Sequence, residues 1–212
     1  VTLGVFILWL GWVGVNGGSQ TSLGGAIAAG GPSHRVGNKK LAAAAGVMAA
    51  ISVSRPILGR VDLLAGLNGA IAGLVSITAA PDILDHRWAV VIGAVGGVIC
   101  TAGIRFLEDM KVDDVVGAGP AHLFAGVWGT MAVCIAGGGD FLVQLIGVLS
   151  VGVFVFGVSY AVWFAIEKTI GARVSRAVEE VGQDSAELGL EAYPEFVLMP
   201  DPDIAAELQR EN

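Results

Sequence analysis

Residues 141–166 read FLVQLIGVLSVGVFVFGVSYAVWFAI, 26 residues without a single charge. As a helix rising 1.5 Å per residue this run is about 39 Å long, enough to cross about 30 Å of hydrocarbon with tilt to spare. Outward from it, uncharged or nearly uncharged runs recur at about 1–15, 41–54, 63–81, 88–104 and 119–135. The run at 41–54 is short unless it extends back past Lys39. Six such runs in 212 residues are too many for a soluble core of this size to bury. The expected fold is an all-α membrane protein, a polytopic bundle of six transmembrane helices. Composition agrees: 54% of residues are apolar and 15% charged, and the mean hydropathy is +0.73.

The net charge of −7 is not spread along the chain. Residues 1–166 carry 8 acids and 8 bases, whereas 167–212 carry 11 acids and 4 bases. The sequence therefore divides into a neutral membrane domain, 1–168, and an acidic tail, 169–212. This pattern excludes a nucleic-acid binder, a disulfide scaffold and a disordered chain. With six crossings, Arg55, Arg60, Arg105, Lys111, Lys168, Arg173 and Arg176 lie on the side of the tail, against Arg35, Lys39, Lys40 and Arg87 opposite. The excess of bases predicts a cytoplasmic C-terminus. The chain opens at Val1 inside an apolar run, which we read as a fragment of a longer protein or a separately encoded half.

Glycine is abundant, 32 of 212 residues, and in membrane bundles small residues let helix backbones approach. Gly69 and Gly73, Gly93 and Gly97, and Gly14 and Gly18 are each four apart and so share a helix face. Cys100 and Cys134 sit inside apolar runs and read as small buried hydrophobes, with no metal ligand spacing.

Charges are expected to be absent from span interiors, which argues against a carboxylate ion path. Neutral polar residues remain there, among them Asn16, Ser19, Asn68, Ser76, Thr78, His122, Thr130 and Tyr160. His122 stands out, because within a membrane span an imidazole supplies one donor and one acceptor without a permanent charge. His34, in GGAIAAGGPSHR, and His86, in DILDHR, read as solvated loop residues. There is no nucleophile constellation and no phosphate loop, so no enzyme, metal or cofactor is expected.

Several blocks then carry a family resemblance: ILWLGWVGVNGGS, GNKKLAAAAG, LLAGLNGAIAGLVSITAA, AVVIGAVGGVIC, KVDDVVGAGPAHLFAGVWGTMAV and ARVSRAVEEVGQDSAELGLEAYPEF. Their order and spacing resemble the second half of ammonium transporters of the Amt/Mep/Rh superfamily, over about 1–196. The resemblance implies an eleven-helix fold of two inverted five-helix repeats plus a long final helix, of which this chain is half, and assembly as a homotrimer. It implies recruitment of ammonium, loss of a proton, and passage of ammonia through an apolar pore with two stacked histidines. His122 matches the second histidine, Ser19 a serine that helps recruit the ion, Trp12 a pore-lining tryptophan and Asn68 a packing position. A PII-family signalling protein is the implied partner of the tail.

The chain also departs from that pattern. Val15 stands at an outer-gate phenylalanine, Lys39 at a threonine following Asn38, and Gly117 at an aspartate five residues before the histidine. Leu123 and Phe124 replace a glycine-led turn, Gln183 interrupts a Gly-Leu-Asp, and Leu188 replaces a histidine. The first pore histidine belongs to the half not present here. These departures motivate two alternatives: an ammonium sensor or regulatory membrane subunit with weak conduction, and a fragment inactive on its own.

Overall fold

The computed structural model describes residues 1–18, 26–79 and 85–189, with backbone alone for residues 13, 16–18 and 26–34. The chain divides into two units, Val1–Ser150 and Val151–Asn212. In chain order the helices are α1 (Thr2–Gly18), α2 (Ala26–Leu58), α3 (Leu63–Ile77), α4 (His86–Asp109), a π-helical turn (Gly119–Phe124) running into α5 (Ala125–Ile135), α6 (Phe141–Thr169), α7 (Arg176–Val181) and a second π-helical turn (Asp184–Leu188). Among the described residues there is no strand. Six apolar helical stretches follow the six expected runs in order, and those of α2, α4 and α6 are each long enough to cross a bilayer alone.

Short polar side chains set where these helices start. Asp62 precedes α3 in extended conformation and accepts the Ala65 N–H at 3.0 Å. Asp85 does the same for α4, accepting from Arg87 and Trp88 at 2.9 and 3.0 Å. Asp140 accepts the Val143 N–H at the start of α6, and Ser175 caps α7. Each satisfies N–H groups that the first helical turn leaves without a partner. α2 ends where Gly59 takes φ +78°, in the left-handed region that favours glycine.

Two expectations about α2 are corrected. Its helix begins at Ala26 rather than Leu41, so part of the glycine-rich stretch read as a connection between spans is helical. Lys39, counted as a loop charge, is fully buried inside the helix. A lysine is compatible with helical backbone, and its four-carbon stem lets the amine reach a polar atom beyond the apolar seam. The uncharged-run criterion ended the span there because it scores the charge and ignores the stem.

The core of the first unit is a close seam on either side of α2. A Cβ at Gly73 would overlap the Ala42 carbonyl, one at Gly69 would come within 2.5 Å of the Ala50 Cβ, and one at Gly66 within 3.0 Å of Ile51. On the other side, Gly93 faces the Ala42 carbonyl and Gly97 the Gly46 carbonyl, again with no room for a Cβ. The α2–α3 seam is antiparallel: it runs from Ile51 opposite Gly66 to Lys39, which donates to Thr78 Oγ1 at 3.1 Å. α1 and the π-helical turn close over α3 through Val5, Ile71, Ala72, Cys100, Ala121 and Ala125, against which Trp12 packs. A second cluster joins Ala42, Ile77, Ala89, Ile92, Ala132 and Val133, with Trp128 donating from Nε1 to the Ile92 carbonyl at 3.0 Å.

In the second unit, Tyr160 stacks between Phe156 and Phe164 along α6, at 6.2 and 6.3 Å. Among the described residues none of α6 is buried. Beyond it, Arg173 pairs with Glu179, holding that exposed carboxyl below its ordinary range, and Arg176 pairs with Glu180 four residues on.

Two outcomes test this packing. Gly97→Val is expected to destabilise the protein by about 1–3 kcal/mol, because its side chain overlaps the Gly46 backbone. Gly126→Ala, which meets only Val75 at 3.6 Å, is expected to be tolerated; thermal unfolding in detergent compares the two. The Asp62 carboxyl is held below its ordinary range by the Ala65 N–H and then by Arg60. A depressed folded pKa adds stability above about pH 4, lost as pH falls through the folded value. Asp62→Asn is expected to remove that part of the acid dependence in unfolding measured between neutral and acidic pH.

Candidate functional site

The π-helical turn Gly119–Phe124 that holds His122 is built by its flanks. Asp114 accepts the Ala118 N–H on Oδ1 at 2.9 Å and the Gly119 N–H on Oδ2 at 2.8 Å. Pro120 follows and lacks a donor of its own, as suits the first turn of a helix. Gly117, where the family resemblance places an aspartate, takes φ +71°, and a Cβ there would come within 2.6 Å of Asn68 Nδ2. The left-handed φ favours glycine. Asn68 is buried and donates to the Val116 carbonyl at 2.7 Å, tying the loop to α3. Phe124 lies against Gly103 and tilts onto Phe106 at 6.4 Å. Its neighbour Leu123 is exposed. Turns of this type widen the helix by one residue and recur at functional sites.

These contacts bury Ala121 and Ala125 and leave His122 exposed on the surface of this chain. There the imidazole stacks on the indole of Trp12 from α1, with ring centroids 5.9 Å apart and planes at 24°. Trp12 Nε1 donates to Thr78 Oγ1 at 3.0 Å. Thr78 in turn donates to the Leu74 carbonyl at 2.6 Å and accepts from Lys39 Nζ at 3.1 Å. Four elements thus meet in one chain of contacts: Lys39 of α2, Thr78 at the end of α3, Trp12 of α1 and His122. Most other hydroxyls of the bundle interior are spent on helix carbonyls: Ser76 on Ala125, Thr101 on Gly97 and Thr130 on Gly126.

Of the expected site residues, the structure brings Trp12 and His122 together. Val15 lies on α1, exposed, three residues past Trp12. Ser19 falls outside the described residues, and so do the side chains of Asn16 and His34. His86, read as a solvated loop residue, is exposed but is the first residue of α4, and its Nδ1 lies 2.6 Å from Oδ1 of buried Asn38. The sequence reading missed Asp114, whose position just before a glycine-rich turn is a capping signal, and the role of Lys39. Among the described residues no group of His, Cys, Asp and Glu could hold a metal.

A family model described as "Ammonium Transporter Family" matches residues 1–193. This chain belongs to the ammonium transporter family. As a member of a family of transporters, not enzymes, with these apolar helices, it is an integral membrane protein. It is 38% identical to the ammonium transporter Amt2 of Archaeoglobus fulgidus, over 92% of this chain and 45% of that protein. It is 35% identical to the ammonium transporter Amt1 of Haloferax mediterranei, over 95% of this chain and 42% of that one. Among solved structures it resembles a "Sensor Amt Protein", with 30% identity and a TM-score of 0.77, covering 88% of this chain and 48% of that chain. The chain thus spans a little under half the length of each of these relatives.

Trp12→Phe keeps a ring beside His122 and removes the donor to Thr78. It is expected to lower stability by about 1 kcal/mol, whereas Trp12→Ala, which also removes the ring, is expected to lower it by about 3 kcal/mol. Chemical unfolding in detergent resolves that difference.

Proposed function

We propose that this chain supplies half of a transmembrane path for ammonium and ammonia. Recruited ammonium loses a proton, and ammonia crosses an apolar pore past His122. The observation that carries this reading is the Trp12–His122 stack on a face that this chain leaves open. A bare cation in hydrocarbon costs several kcal/mol at least, whereas neutral ammonia needs only hydrogen-bond partners. An uncharged imidazole offers both a donor and an acceptor, and the indole face beside it excludes water. His122 is the second member of a histidine pair whose first member lies in the other half of the path. Ser19 helps recruit the ion, Trp12 lines the pore, and Val15 stands at the outer gate. Sequence likeness to the archaeal ammonium transporters supports the substrate.

In the same reading, residues 1–168 form the membrane domain and 169–212 the acidic tail, which lies in the cytoplasm and meets a PII-family signalling protein. The complete protein is a homotrimer, for which the uncovered apolar surface of α6 offers contact area.

A second reading, an ammonium sensor with weak conduction, is favoured by the likeness to the solved structure titled "Sensor Amt Protein". One experiment separates the two. In full-length protein carrying its first half, His122→Ala is expected to abolish methylammonium uptake while the protein still folds. Unchanged uptake would overturn the role given to His122. Ammonium-dependent recruitment of a cytoplasmic partner without any flux would favour the sensor.

A further inference from the structure

Lys39 is the feature that the transport reading does not absorb. A lysine inside a membrane span carries a strongly hydrated ammonium away from water. This one is fully buried, at 0% exposure, in the seam between α2 and α3. No carboxylate pairs with it among the described residues, and its one hydrogen-bond partner there is Thr78 Oγ1, at 3.1 Å.

The chemistry of Thr78 gives that contact its meaning. A hydroxyl has one proton to donate and two lone pairs to accept with. Thr78 donates its proton to the Leu74 carbonyl and accepts from Trp12 Nε1 and Lys39 Nζ. Its capacity is therefore full. Lys39 holds the second lone pair; Trp12, which holds the first, is the ring stacked on His122. A primary alkylammonium and an ammonium ion present the same N–H donors on the same kind of nitrogen. Tethered to α2, the lysine amine competes for that lone pair at a local concentration on the order of millimolar or above.

We propose that Lys39 is a resident alkyl amine at the transport path: its N–H donor occupies the acceptor on Thr78 that an ammonium or ammonia molecule beside Trp12 and His122 would use, and so limits conduction. The proposal rests on the transport reading above. It makes Lys39 a specificity-determining residue, one that slows the path.

The test uses full-length protein in proteoliposomes, with methylammonium uptake as the readout and the unfolding midpoint as the control for folding. Lys39→Met, of similar length and neutral, and Lys39→Thr, short and neutral, are each expected to raise the uptake rate several-fold. Lys39→Arg keeps a long side chain with N–H donors for Thr78 and is expected to leave uptake at or below that of the natural chain. Folded Met and Thr variants that transport no faster than the natural chain overturn the proposal. If His122→Ala also abolishes uptake, the transport reading survives that failure. If neither the natural chain nor any variant takes up methylammonium, and calorimetry finds no binding of it, both fall together. A second readout needs no variant to fold well: in natural protein labelled with 13C at the lysine ε-carbon, saturating ammonium chloride is expected to displace the buried amine and shift its resonance. A resonance that does not move overturns the proposal.

Discussion

Backbone contact across α2 sets the geometry of the first unit. The carbonyls of Ala42 and Gly46 face α3 and α4, and the gaps they need exist only because Gly69, Gly73, Gly93 and Gly97 carry no Cβ. In a bilayer no hydrophobic force draws helices together, since lipid tails are as apolar as leucine, so close van der Waals contact has to hold the bundle. The same seam fixes the polar end of the molecule. Lys39 lies one turn before Ala42 on α2, and Thr78 one turn after Leu74 on α3, so the approach at Gly73 brings amine and hydroxyl together. Widening that seam would part Lys39 from Thr78 even though neither residue had changed.

The interior separates its polar groups into two kinds. Ser76, Thr101 and Thr130 return their hydroxyls to helix carbonyls, and Asn68 ties a loop to a helix. Such groups are satisfied locally and leave nothing for a solute. The row from Lys39 through Thr78 and Trp12 to His122 differs, because its members come from four separate elements and its last member opens outward. A solute meeting this face encounters an imidazole with hydrogen-bonding capacity and an indole whose N–H is already engaged. Selectivity on such a surface follows from which groups are already committed.

Much of this was legible in the sequence because a bilayer imposes simple rules. Uncharged runs located all six apolar helices in order, and two of the three glycine pairs, Gly69 with Gly73 and Gly93 with Gly97, marked faces that the structure packs against α2, whereas Gly14 has open space around it. His122 was visible as a histidine in an apolar span, and family resemblance assigned both it and Trp12 to the pore; that the two rings stack on each other is seen only in the structure. What the sequence hid were features that depend on distance across the fold. Lys39 looked like a loop charge because nothing nearby in sequence offers it a partner; Thr78 lies 39 residues away. The capping role of Asp114 depends on the N–H groups of Ala118 and Gly119, and the preference for glycine at 117 on a left-handed φ, neither of which a run of apolar letters encodes.

The π-helical turn at Gly119–Phe124 has one further consequence, a matter of phase. An α-helix advances about 100° per residue, so one extra residue in a turn rotates everything after it by that amount. Downstream, Gly129 has to face the backbone of Ser76, which leaves no room for a Cβ. Upstream, Asp114 fixes where the helix starts. A continuous α-helix could satisfy one of those anchors and would miss the other by roughly a quarter turn. The extra residue therefore works as a phase shifter, letting one helix present His122 by one clock and its packing face by another.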